Sequence, residues 1–212
     1  MKIFLDDGDR HNFMFLLAEV ATEYCLDCYD YCLMDNHFHL SIRNRRSNLS
    51  AAMQKLKGEY ASSWNAKHGR VGHTFEGPFK DQIVQGERYF RHLTRYIARN
   101  PVRAGLVAAP QDWRWSSYQF HAGLGLVPEF LASDYVLDQF GKDDRGAARA
   151  AYIAHVISPS DQEREAELFR ARRRLVGDAA FRAAIRGTTR AERPNPAVVS
   201  PAMDLRLADL PV

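Results

Sequence analysis

Residues 24–42, YCLDCYDYCLMDNHFHLSI, decide the fold. The run up to Met34 is aromatic and cysteine-rich, as a buried strand is, and Asp35-Asn36 is turn chemistry. A second strand then runs through Ile42, so the segment predicts a β-hairpin. Upstream, Phe13, Leu16, Leu17, Val20 and Ala21 repeat at helical spacing behind Asp6, Asp7 and Asp9, whose charge suits a helix start. Downstream, a helix is expected from about Leu49 to Trp64, capped by Asn48 or Ser50, with Met53, Leu56, Tyr60 and Trp64 on one stripe. The glycine-punctuated segment 69–77, GRVGHTFEG, leads to a short strand around Gln82 to Val84. Another helix starts near Glu87 and should stop before Pro101, because the residue ahead of a proline is pushed out of the α region. Helix, strand, strand, helix, strand, helix makes an α+β protein: an antiparallel sheet with packed helices.

After Val107 the texture changes. Residues 109–118, APQDWRWSSY, read as a packed aromatic connector. From about Phe130 the pattern is helical and arginine-rich, including RARRR at 170–174, and the tail from Arg193 is proline-rich and expected to be poorly ordered. The expected organisation is a main domain over 1–125, a helical region over 126–192 and a tail over 193–212. Hydrophobic residues at 46% argue for a real core and against wholesale disorder. A net charge of only +3 permits a polyanionic partner without demanding one. Cys25, Cys28 and Cys32 crowd one strand with no second cysteine pair to complete a zinc site, and read as small buried hydrophobes. With no apolar run long enough to span a bilayer and no signal peptide, a soluble cytoplasmic protein is the default.

The chemistry begins at His37-Phe38-His39. On a strand, residues two apart share a face, so two imidazoles can grip one divalent cation while Phe38 points the other way. Alone, the pair reads more readily as polar side chains on a solvated face. The helix from Glu87 to Arg99 adds weight. At about 100° per residue, Tyr89, His92, Tyr96 and Asn100 fall on one narrow face, beside an apolar stripe of Phe90, Leu93 and Ile97. Arg88, Arg91, Arg95 and Arg99 occupy the opposite flank. Such an edge can hold a phenol and an amide near a metal while arginines receive phosphates.

Three segments, MDNHFHL at 34–40, GRVGHTFEGPFK at 69–80 and YIARNPVRAGLV at 96–107, together resemble the REP-associated tyrosine transposases, an HUH-type single-tyrosine family related to small insertion-sequence transposases. The resemblance covers roughly residues 3–125. It implies a ferredoxin-like sheet with helices on one face. It also implies a metal-dependent single-stranded DNA endonuclease and strand transferase that forms a 5′-phosphotyrosine intermediate at DNA hairpins. Tyr96 matches the nucleophile, and His37, His39 and Asn100 match the ligands of Mg²⁺ or Mn²⁺. Lys57, Arg70, Lys80, Arg88, Arg95, Arg99 and Arg103 are the candidate DNA contacts, with Trp64 or Phe75 as stacking surfaces. The partner would be single-stranded or hairpin DNA and the unit a monomer or homodimer.

Two features depart from the family. Its members usually carry a first, central strand ahead of the acidic helix start, whereas this sequence opens almost at that helix. The expected result is a vacancy between the strands flanking it, filled by a partner or by upstream residues, or left open in a decayed copy. Glu76-Gly77-Pro78 also stands where Gln, Gly and Arg are more frequent, removing a cation and a backbone donor. The competing readings are a transposase-derived hairpin-binding protein without cleavage and a metal-dependent hydrolase using the histidines alone.

Overall fold

The computed structural model describes residues 1–158, 165, 167–169, 175–186 and 197–201, and for Glu87, Arg88 and 197–201 the backbone only. Helix α1 (Asp7–Tyr24) begins in a capping box, with Asp6 accepting from the Asp9 N–H and Asp9 reaching back to the Asp6 N–H. It ends at Cys25, whose backbone is left-handed at φ 55°. Strands β1 (Leu26–Leu33) and β2 (Phe38–Asn44) form the expected hairpin. Helix α2 (Leu49–His68) runs a turn beyond Trp64 and closes at Gly69, with φ 61°. The short β3 (Gln82–Val84) feeds α3 (Gly86–Ala98), and Pro101 sits at the start of a new turn, α4 (Asn100–Arg103). There it interrupts no helical hydrogen bond.

The α+β architecture read from the sequence holds, but helices line both faces of the sheet rather than one. Phe38, Leu40 and Ile42 of β2 join α1 and α2 in one core, around Phe4, Phe13 and Tyr60. Phe13 lies 4.6 Å from Phe38 and 5.2 Å from Tyr60, ring centre to ring centre. On the other face, α3 packs Leu93 and Ile97 against Cys32 and Met34. Helices α5 (Tyr118–His121), α6 (Ser133–Asp138) and α7 (Arg145–Ile157) share a third cluster with Tyr29 of β1 and with α3. One-face packing would have left β1 half solvated, yet seven of its eight residues are buried and Asp27 is half-buried.

A β-bulge lets β1 serve both cores. The register steps from Cys28↔Ile42 to Asp30↔Ser41, leaving Tyr29 as the extra residue. Cys28 and Tyr31 therefore both meet the α1 and α2 core, while Tyr29 and Asp30 both reach the α3 side. Buried Asp30 accepts from Thr94 of α3 at 2.9 Å, and its other oxygen lies 3.4 Å from His121. The connector over 109–118 covers the outer edge of β1, with Leu33 N–H bonded to the Trp115 carbonyl and Ser117 N–H to that of Tyr31.

Sheet order is β1-β2-β5-β3-β4, with β4 (Leu175–Val176) parallel to β3 and β5 (Ala197–Pro201) antiparallel to both β2 and β3. The vacancy expected between β2 and β3 is therefore occupied by β5, from the tail expected to be unstructured. Helix α8 (Ala179–Arg186) follows β4. The RARRR segment at 170–174 and the rest of 193–212 lie outside the described residues.

Among the described residues, Asp6, Asp9 and His68 are the one group of three His, Cys, Asp or Glu side chains close enough together to hold a metal ion. It already holds a cation: the Lys67 ammonium sits 2.6 Å from Asp6 and 2.8 Å from Asp9, with His68 at 2.9 Å from Asp9. Burial works to raise the Asp9 pKa, but bonds from Lys67, His68 and the Leu5 N–H outweigh it and hold the carboxyl at about 2 against an ordinary 3.8. A depressed carboxylate stabilises the fold above its unfolded pKa and loses that effect as pH falls through the folded one. Asp9→Asn is thus expected to lower the melting temperature at pH 7 by a few degrees, with ~1 kcal/mol corresponding to roughly 2–4 °C at this size. It should also flatten the acid limb between about pH 4 and 2, as followed by circular dichroism. An unchanged limb would mean the cluster is not coupled to folding.

Candidate metal and nucleophile site

Alternation along β2 puts Phe38 in the α1 and α2 core and turns His37 and His39 to the α3 side. Their Nε2 atoms converge to 3.1 Å. Two ligands on adjacent corners of an octahedron with bonds of about 2.1 Å lie ~3.0 Å apart, so the spacing fits one cation. His37 Nδ1 is 2.7 Å from Asn36 Oδ1; with that N–H donated, the lone pair of His37 lies on Nε2. His39 is 2% exposed, and among the described residues its buried Nδ1 has no hydrogen-bond partner. Burial drops His37 to about 4 from 6.5. His39 is pushed well down by burial first, then by the neighbouring His37 and the positive Arg103, with Asn100 opposing. Both rings are held neutral, the form that ligates metal.

The turn carrying His37 is fixed from below. Asp35 accepts the Ile3 and Phe4 N–H groups through its carbonyl and binds Arg10 at 2.6 Å and Lys2 at 2.8 Å through its carboxylate. Arg10 is itself buried among Phe4, Trp113 and Trp115, at 5.5, 5.8 and 5.6 Å from the ring centres.

On α3, Tyr96 meets His39 edge to face, ring centres 5.8 Å apart. Asn100 donates Nδ2 to the Tyr96 carbonyl at 2.7 Å. Only the amide NH₂ can donate to a carbonyl, so Oδ1 is the end of Asn100 left toward His39. Tyr96 is 6% and Asn100 5% exposed. Phe169 packs on Tyr96 with centres 5.0 Å apart, and the Arg103 guanidinium lies over the Tyr96 ring at 4.7 Å. Two imidazoles, an amide side chain and the ring of Tyr96 therefore come together, and the two imidazoles with an amide oxygen fit a divalent cation.

The arginine flank behaves differently from the sequence expectation. Arg95 is buried, bonded to Glu165 through Nε at 2.7 Å and to the His155 carbonyl and Ser158 hydroxyl through Nη1. Arg99 donates to the Val156 carbonyl at 3.1 Å. Both arginines cap the C-terminal end of α7, where orphan carbonyls and the helix dipole favour cations. They are not available to DNA in this arrangement. The Arg88 side chain lies outside the described residues. Lys57 donates to the Gly77 carbonyl at 2.6 Å and lies over Phe75, stapling the glycine-rich segment, while exposed Arg70 stacks on Trp64. Lys80 is half-buried at the end of that segment. Trp64 is buried in the main core and is no stacking platform; Phe75 is only partly buried. Sequence reasoning missed Asn36, Arg10 and the Asp30–Thr94 bond. Asn36 stood next to His37 in the quoted stretch, whereas the other two depend on contacts between distant segments.

Residues 2–100 match the IS200-like transposase family, so this part of the chain is similar to that family. That family comprises transposase-type DNA endonucleases of DNA transposition and recombination, which generally depend on a divalent metal. No curated protein and no solved structure matches the chain. No described helix is long and apolar enough to cross a membrane.

A neutral histidine pair has a pH signature. Below about 6.5 the unfolded chain takes up protons that His37 refuses until about 4 and His39 refuses further, so stability falls with pH across that window. The melting temperature of the metal-free protein is expected to decline from pH 6.5 to 4, and the H37Q/H39Q double variant to lose most of that slope. An identical slope in the variant would show that the two rings take up protons in the fold as they do in the unfolded chain.

Proposed function

We propose that the protein is a REP-associated tyrosine transposase, cutting and rejoining single-stranded DNA beside hairpins through Tyr96. The observation that carries the reading is the meeting of the 3.1 Å Nε2 pair with the phenol ring of Tyr96 at one place between β2 and α3. His37, His39 and Asn100 would hold Mg²⁺ or Mn²⁺, which when bound polarises the scissile phosphate and offsets charge on its oxygens.

In this mechanism Tyr96 Oη attacks phosphorus, losing its proton to solvent, and the P–O3′ bond breaks. The released 3′ oxygen takes up a proton, and the 5′ end stays joined to the tyrosine. The covalent link keeps the energy of the broken phosphodiester, so the reaction can run backwards onto another strand without a nucleotide cofactor. Asn36 keeps the His37 lone pair aimed inward, and the Asn100 amide divides its two ends between the Tyr96 carbonyl and the metal side. Arg70, Lys80 and Arg103 are the proposed DNA contacts, with Lys57 shaping the segment between α2 and β3.

One observation favours the second reading, a hairpin-binding protein that does not cut: Tyr96 is buried and covered by Phe169. The two readings separate on a denaturing gel. Labelled hairpin oligonucleotides with a single-stranded flank are incubated with Mn²⁺, and a slowed, labelled protein band is expected that vanishes in Tyr96→Phe and with chelator. Hairpin binding should survive in Tyr96→Phe within about threefold. Tight binding without any covalent band, across several hairpins and both metals, would replace the transferase reading by the non-cutting one. Asn100→Asp sets a carboxylate against the Tyr96 carbonyl, so adduct formation is expected to fall about tenfold or more, with hairpin affinity retained.

A further inference from the structure

Tyr96, Asn100 and Arg103 lie four and then three residues apart along a helical path that continues from α3 into α4. At about 100° per residue they share one narrow stripe. The Arg103 guanidinium stacks over the Tyr96 ring at 4.7 Å. Its neighbours on α3 are committed elsewhere: Arg95 and Arg99 cap α7, and Arg91 lies over Phe140. Arg103 is exposed, and among the described residues no carboxylate or carbonyl engages it. A ring contact made by a guanidinium that stays in solvent contributes only about 0.5–1 kcal/mol, a weak reason to hold the charge there. A guanidinium that leaves its planar fork of donors unclaimed beside a phenol and a metal-ligand set is suited to a phosphate.

We propose that Arg103 is a catalytic residue: its guanidinium, held against the Tyr96 ring, grips a non-bridging oxygen of the scissile phosphodiester. The inference rests on the strand-transfer reading and deepens it, moving Arg103 from one of several backbone contacts to the group that meets the reacting phosphorus. As the Tyr96 Oη–P bond forms and the P–O3′ bond breaks, negative charge grows on the non-bridging oxygens. Arg103 stays protonated throughout and offsets that charge, in cleavage and equally in rejoining. The ring stacking sets the fork beside the nucleophile before DNA arrives, so little ordering is left to the reaction itself.

The test uses the full chain with a hairpin oligonucleotide carrying a single-stranded flank and Mn²⁺, under single-turnover conditions at saturating DNA. Hairpin affinity is measured separately by fluorescence anisotropy in chelator. Arg103→Gln is expected to slow adduct formation about 100-fold, the scale of losing one charge-stabilising donor. Its affinity should stay within about threefold, and Arg103→Lys should recover part of the rate. Sulfur in place of one non-bridging oxygen at the scissile phosphate is expected to slow the wild type more than Arg103→Gln. Because Arg103 is exposed, melting temperatures should match, so a slow variant is a folded one. A variant with wild-type rate at saturation and weakened affinity would overturn the proposal and return Arg103 to the ordinary backbone contacts. If the wild type binds hairpins and never forms the adduct, the strand-transfer reading itself falls and takes this role with it. The wild-type lane thus reports on the reading, and the variant lanes on Arg103.

Discussion

A slip of one residue between β1 and β2 would turn His37 and His39 into the aromatic core beneath α1 and α2, and would lift Phe38 to the α3 side. The observed register, with Leu40 opposite Tyr31 and Phe38 opposite Leu33, is protected by burial on both faces. Burying a phenylalanine side chain contributes about 1.5–3 kcal/mol, and Phe38 is fully enclosed among Phe13 and its neighbours. The same packing that secures the core therefore fixes which way the imidazoles point. Asp35 extends this control into the turn, since Arg10 and the Ile3 and Phe4 amides hold the residue two before His37.

The bulge at Tyr29 settles a second requirement. Without an extra residue, either Cys28 or Tyr31 would leave the α1 and α2 core. With it, Asp30 faces α3, where Thr94 and His121 meet its carboxylate. A buried carboxylate without partners would cost several kcal/mol, so this contact ties α3 to one position along β1. β5 completes the frame: it pairs with β2, which carries His39, and with β3, which leads into the helix of Tyr96. The two halves of the site are thereby hydrogen-bonded to one intervening strand.

How much of this the sequence carries differs from feature to feature. The hairpin, the helices flanking it and the stripe of Tyr96 and Asn100 follow local periodicity, which a single segment displays in full. The both-sided burial of β1 is less legible, because an aromatic and cysteine-rich strand says that it is covered and not by what. The destinations of Arg95 and Arg99 were not legible at all: an arginine flank on an isolated helix looks solvated, and only the arrival of the α7 carbonyls some sixty residues on makes it a cap. Occupation of the gap between β2 and β3 by Ala197–Pro201 is the same kind of fact, since Val198 and Val199 stand in a proline-rich context that reads locally as tail.

Among the described residues, α3 is attached on three sides. Leu93 and Ile97 enter the core against the sheet, Thr94 bonds Asp30 behind them, and Arg95 and Arg99 bind the end of α7 on the far flank. Rotation of the helix about its axis would break all three attachments together, and two of them involve buried charges whose partners cannot be replaced by water. The remaining stripe holds Tyr96, Asn100 and, past Pro101, Arg103, and those attachments turn it toward His39. A nucleophile on a pinned helix is placed more narrowly than one on a loop, which is the condition for a phenol to meet a phosphate at bonding distance. The direction of Tyr96 is thus set by residues that never touch the reacting atoms.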